Sequence, residues 1–65
     1  MSVYIIGEGM ASKIAEEFVQ QHHSIIKIEK PVLKDEIWHV AVSAYPPNKT
    51  FQVKINAKTG YIMGF

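Results

Sequence analysis

The hydrophobic and polar positions change period once along the chain. Ala11, Ile14, Ala15, Phe18, Val19 and His22 follow the i, i+3, i+4, i+7, i+8 spacing of one helix face, with Ser12, Lys13, Glu16, Glu17, Gln20 and Gln21 on the other side. This spacing predicts a helix from about Gly9 to His22. Beyond it the period becomes two. Trp38, Val40, Val42 and Ala44 alternate with Ile37, His39, Ala41, Ser43 and Tyr45, and Phe51, Val53, Ile55 and Ala57 alternate with Gln52, Lys54, Asn56 and Lys58. Strands buried on both faces read as continuous apolar runs, so these are half-buried strands of an antiparallel sheet.

The residues between the strands set the connections. In "YPPNKT" paired prolines deny ladder donors and Asn48 suits a turn, so the chain reverses there. "NAKTG" makes a second hairpin, because Gly60 takes a positive φ without steric cost, and "YIMGF" returns as the last strand. Ser24 to Leu33 read as the first strand of the meander, with Lys30-Pro31 disturbing its middle or marking a bulge. The expected fold is α+β in a single domain, residues 1–65. One amphipathic helix packs on an antiparallel β-meander of three to four strands, with Val3 to Ile6 available as a short N-terminal strand. Phe18 on the helix is expected to touch Trp38 on the sheet.

Two registers are open to the last hairpin. A four-residue loop, Ala57 to Gly60, pairs Asn56 with Tyr61 and Ile55 with Ile62, and turns Tyr61, Met63 and Phe65 away from the helix. A three-residue loop closing on a Gly60 bulge pairs Ala57 with Tyr61 and turns that set inward, because a one-residue slip exchanges the two faces. The first is the expected register. The outer face then carries Ile37, His39 and Tyr45 together with Tyr61, Met63 and Phe65. Aromatic and Met residues are what interfaces favour, so these six positions form the expected partner surface, for another protein or for a second copy in a homodimer.

Size and composition sharpen that expectation. A chain of 65 residues buries only about 60% of its unfolded surface, and with no cysteine it has no disulfide to compensate. Oligomerisation is the remaining common supplement. Seven lysines, no arginine and six carboxylates leave a net charge of +1, too weak a field to indicate nucleic acid or an anionic membrane. The start "MSVYIIGEG" lacks a charged signal-peptide region, and no apolar run approaches the roughly 20 residues of a membrane span. Together with the absence of cysteine, this leads to the expectation of a cytoplasmic protein.

Candidate chemistry is sparse. Gly7 and Gly9 form a G-x-G between an apolar run and the helix, and Glu29 lies near the distance of a ribose ligand, which is the beginning of a dinucleotide-binding βαβ unit. That site needs parallel strands and a strand-order reversal, whereas the rest of the chain is spent on antiparallel hairpins. Nucleotide binding therefore stands as an alternative, and the preferred reading is that Gly7 and Gly9 let an extended segment turn into the helix. His22 and His23 are adjacent, point about 100° apart on a helix, and cannot chelate one metal together. His39 is alone. Glu16-Glu17 and Asp35-Glu36 are a solvated helix face and a loop, and Ser24, Ser43 and Thr50 lack a nucleophile-elbow context. Asn48-Lys49-Thr50 fits a glycosylation sequon but reads as a polar turn. No catalytic, metal or cofactor residues are assigned.

From Gly9 onward, over about fifty residues, the order of helix, strand, "IWHVAVSAY", turn and "TFQVKINAKTGYI" resembles a PepSY domain. The match rests on Ala11, Ile14 and Ala15, then Trp38, Val40 and Val42, then Val53, Ile55, Ala57, Thr59, Gly60 and Ile62, with Asn56 where the family usually has Asp. The resemblance implies a non-enzymatic binding or regulatory module, in some relatives an inhibitor or chaperone of a protease, with one helix across an antiparallel sheet. A protease inhibitor or prodomain-like module acting in trans is accordingly a further alternative. Relatives usually act outside the cytoplasm.

Overall fold

The computed structural model describes residues 6–46 and 48–65. The order is α1 (Glu8–Gln20), β1 (Ser24–Ile28), β2 (Val32–Lys34), β3 (Ile37–Tyr45), β4 (Lys49–Asn56) and β5 (Ile62–Gly64). The fold is α+β, with α1 packed on one face of an open antiparallel sheet of five strands ordered β1-β3-β4-β5, β2 also pairing with β3. The strand expected over Val3 to Ile6 lies outside the described residues, except for Ile6 itself. Among the described residues no helix is long and apolar enough to cross a membrane.

The strand count exceeds the expected three to four because the first strand is two. Pro31 has no N–H to donate, and Glu29 is the last residue before it to bond β3, its N–H donating to Ala41 O at 2.9 Å. After Pro31, which is buried, the chain pairs again with the other half of β3: Val32 with His39, Leu33 with Trp38 and Lys34 with Ile37. β1 and β2 thus make one interrupted edge along β3. β1 also carries a bulge between Ile25 and Lys27, which leaves Ile26 exposed.

Helix and sheet meet through small residues. Ala11, Ala15 and Val19 are buried at successive i+4 positions, so α1 lies close to the sheet, with Ile14 and Phe18 half-buried at its flanks. Beneath it β3 buries every second residue, Trp38, Val40, Val42 and Ala44, and β4 contributes Val53 and Ile55. The helix stops two residues short of His22. The N–H groups of His22 and His23 both donate to Val19 O, at 3.3 and 3.1 Å, and His22 is exposed.

Ile6, just before α1, closes one end of this core. Ile6 N–H donates to Ala57 O at 3.1 Å, and the Trp38 indole N–H donates to Ile6 O at 2.9 Å, so the buried Ile6 is tied to the sheet by both its backbone groups. Trp38 therefore meets the segment before α1. Phe18, near the other end of the helix, packs instead on Phe65, with ring centroids 4.8 Å apart. The expected Trp38–Phe18 contact is replaced by these two separate contacts at opposite ends of α1.

Candidate functional site

The most ordered local chemistry is at the end of the sheet that carries both short turns. Asn56 Oδ1 accepts from Lys58 N–H at 2.8 Å and Thr59 N–H at 3.2 Å, while Asn56 O accepts from Gly60 N–H at 2.8 Å. Thr59 Oγ1 accepts from Tyr61 N–H at 3.2 Å, and Gly60 has φ of 83°. This is a loop organised by an Asx side chain, with glycine at the left-handed position. Asn56 N–H donates to Tyr61 O at 2.9 Å and Ile55 pairs with Ile62, which is the four-residue-loop register. The turn between β2 and β3 lies alongside: Ala57 N–H donates to Glu36 O at 3.0 Å, and Lys58 Nζ is 3.2 Å from Glu36 Oε1.

The outer sheet face begins at this end. Ile37 sits opposite Lys34 and Asn56, and His39 sits opposite Val32 and Lys54. Tyr61 lies across Asn56 from Ile37 and is 74% exposed, and Met63 beside it is exposed as well. Four of the six predicted surface residues, Ile37, His39, Tyr61 and Met63, therefore gather at one end of the uncovered face, with Lys54 and Asn56 between the two strips. Val32, exposed and next to His39, joins them; its place depended on the extra strand and was not readable from the period.

The other two residues lie elsewhere. Tyr45 is exposed at the far end of β3, eight residues from Ile37, which at strand rise is about 26 Å away. Phe65 is on the helix side. The β4–β5 register shifts between Lys54 and Ile55, so that Lys54 pairs with Gly64 and Met63 is the extra residue. The bulge reverses the alternation, and Phe65 lands against Phe18 although it stays 72% exposed.

The remaining candidates are dispersed. Gly7 caps α1 in an extended conformation, φ −92° and ψ −177°, and Gly9 is within the helix; both are exposed, and a Cβ on either meets nothing within 4 Å. The extended Gly7 directly before Glu8 is where the chain turns into the helix, although neither position sterically requires glycine. The strands described are all antiparallel to their neighbours, and they form no strand-order reversal behind the G-x-G. His23 Nδ1–H donates to Pro46 O at 2.8 Å and its ring lies 5.0 Å from that of Phe51, which makes it a structural side chain. Ser43 and Thr50 hydroxyls face one another across β3 and β4 at 3.3 Å. Among the described residues no three His, Cys, Asp or Glu side chains are grouped for a metal ion. The arrangement offers a surface for contact, principally the end of the outer face. No protein-family model, curated protein or solved structure matches the chain.

Proposed function

We propose that this chain is a non-enzymatic binding module that contacts another protein, a second copy of itself included, through the turn end of its outer sheet face. The observation that carries this reading is the gathering of Val32, Ile37, His39, Tyr61 and Met63 on a sheet face that no described element covers. Small domains seldom leave such a group to water without a use for it. Its mixture of aromatic, aliphatic and Met side chains around Lys54 and Asn56 matches the apolar centre and polar fringe of an interface. The absence of cysteine fits a reducing compartment, and we place the module in the cytoplasm.

Sedimentation velocity across the micromolar range tests this reading. The expected result is a concentration-dependent dimer that Ile37→Glu abolishes while circular dichroism stays native. A species that remains monomeric across that range removes self-association through this face.

A PepSY-like inhibitor of a metalloprotease is the second reading. It is favoured by where the matching residues fall: Ala11 and Ala15 line the helix stripe, Trp38, Val40, Val42, Val53 and Ile55 the sheet core, and Ala57 to Ile62 the closing hairpin. Added in excess, the protein should then slow peptide hydrolysis by a thermolysin-type protease, and an unchanged rate would remove this reading.

A further inference from the structure

Two cations frame the turn end of the outer face. Across the strands Lys34, Ile37, Asn56 and Tyr61 form one row, and Val32, His39 and Lys54 form the next. Lys34 and Lys54 are exposed and stand diagonally on either side of β3. Two strand spacings across and two residues along put their Cα atoms about 12 Å apart, with Ile37 and His39 between them. The ion pairs among the described residues are Lys27–Glu29 and Lys58–Glu36, both at 3.2 Å. Neither Lys34 nor Lys54 therefore has a carboxylate within ion-pair reach, Asp35 of the adjoining turn included.

A partner that brings carboxylates answers these charges, and a second copy does not. In a two-fold contact the same patch meets itself, so Lys34 and Lys54 of both copies would enter one interface with no carboxylate of the patch to pair with them. Backbone chemistry narrows the partner further. At this end β3 is bonded to β2 on one side and to β4 on the other, and β4 to β5, so the backbone groups under the patch are committed to the sheet. An extended peptide laid on this face would meet side chains only and leave its own N–H and C=O groups unpaired, whereas a helix bonds its own.

We propose that the outer face binds an amphipathic helix of another protein, an apolar stripe with a carboxylate at each end, in preference to a second copy; this rests on the reading of that face as the contact surface. In such a helix residues i and i+7 lie on one side about 10.5 Å apart, with i+3 and i+4 between them. That span matches the separation of the two lysines within the reach of flexible Lys and Glu side chains. Glutamates at i and i+7 pair with Lys34 and Lys54, and leucines at i+3 and i+4 cover Ile37 together with Val32, Tyr61 and Met63. The apolar contact provides affinity, and the two ion pairs set the direction and choice of the helix.

The probe is the capped peptide acetyl-Ala-Gln-Glu-Ala-Gln-Leu-Leu-Ala-Gln-Glu-Ala-Gln-Ala-amide, titrated into the isotope-labelled full chain and followed by amide chemical shifts. Shifts centred on Lys34, Ile37, His39, Lys54 and Tyr61 are expected, with loss of the dimer in sedimentation velocity. Replacing both glutamates of the peptide by glutamine should weaken binding about three- to tenfold, the effect of two exposed ion pairs. In the protein, Lys34→Gln combined with Lys54→Gln should bring the two peptides to equal affinity while the fold is kept, since both side chains are exposed. Equal binding of the two peptides to the parent chain, or no shifts at millimolar peptide, overturns the proposal. A dimer that Ile37→Glu dissolves but the peptide leaves intact keeps the outer face as the contact surface and removes the helix as its preferred occupant. Shifts that map away from Ile37 and Tyr61 remove both. Tighter binding of a single-stranded oligonucleotide at the same residues also overturns the proposal, in favour of a nucleic acid.

Discussion

Glycine has opposite meanings at two places in this chain. Gly60 has φ of 83°, and a Cβ there would lie 2.7 Å from Ile6 Cδ1, so both the backbone and the space beside it exclude a side chain. Gly60→Val should cost about 1–2 kcal/mol from the left-handed backbone alone, and more once Ile6 is displaced. An unchanged melting temperature would contradict the hairpin described here. Gly9 has a helical conformation and open space around it, and it loses more chain entropy on folding than alanine does. Gly9→Ala should therefore stabilise by about 0.5–1 kcal/mol, raising the melting temperature by several degrees for a domain this small. A decrease would show that Gly9 is needed for something the backbone does not reveal. The G-x-G was conspicuous in the sequence, yet spacing alone could not show that neither residue is sterically required.

Among the elements, α1, β3 and β4 were readable because each is long enough to repeat its period several times. The start of the β4–β5 register, Asn56 with Tyr61 and Ile55 with Ile62, was readable too, as the one of two registers that places Ile62 on the helix side. What failed was short. β5 has three residues, too few to show alternation, so the bulge at Met63 and the transfer of Phe65 to the helix side left no trace in the pattern. Pro31 was visible as an interruption, but its result, two strands sharing one partner, depends on both halves finding β3. The turn between them was equally hidden: Asp35 and Glu36 both have positive φ, 52° and 65°, in the two-residue hairpin form that normally selects Asn-Gly. Replacing the pair by Asn-Gly should relieve about 1–2 kcal/mol at Glu36 and lose up to about 1 kcal/mol from the exposed Lys58–Glu36 ion pair. A net gain of up to about 2 kcal/mol in urea denaturation is expected, the difference between those two effects. A net loss would mean that the ion pair, together with the backbone entropy that the new glycine gives up on folding, outweighs the strain.

For the molecule as a whole, stability is small and concentrated. A 65-residue domain has roughly 3–10 kcal/mol available, from about 0.05–0.15 kcal/mol per residue. Trp38 joins the core to the residue before α1: its ring is buried in the core, and its indole N–H holds Ile6, whose own N–H is bonded to Ala57 beside the Gly60 loop. Two substitutions separate these roles. Trp38→Phe retains most of the packing but leaves Ile6 O buried without its donor, a loss of about 1–3 kcal/mol. Trp38→Ala removes the ring too and should cost about 3–5 kcal/mol, a large part of everything that holds the domain together. The expected outcome is a Phe variant that still melts cooperatively at a lower temperature, and an Ala variant largely unfolded at about 37 °C. If the Phe variant melted at the parent's temperature, the indole hydrogen bond would contribute nothing of its own. Ile6 would then be held to the sheet by its packing and its own N–H bond to Ala57 O, and the protection of the Ile6 amide in hydrogen exchange would be the same in the Phe variant as in the parent.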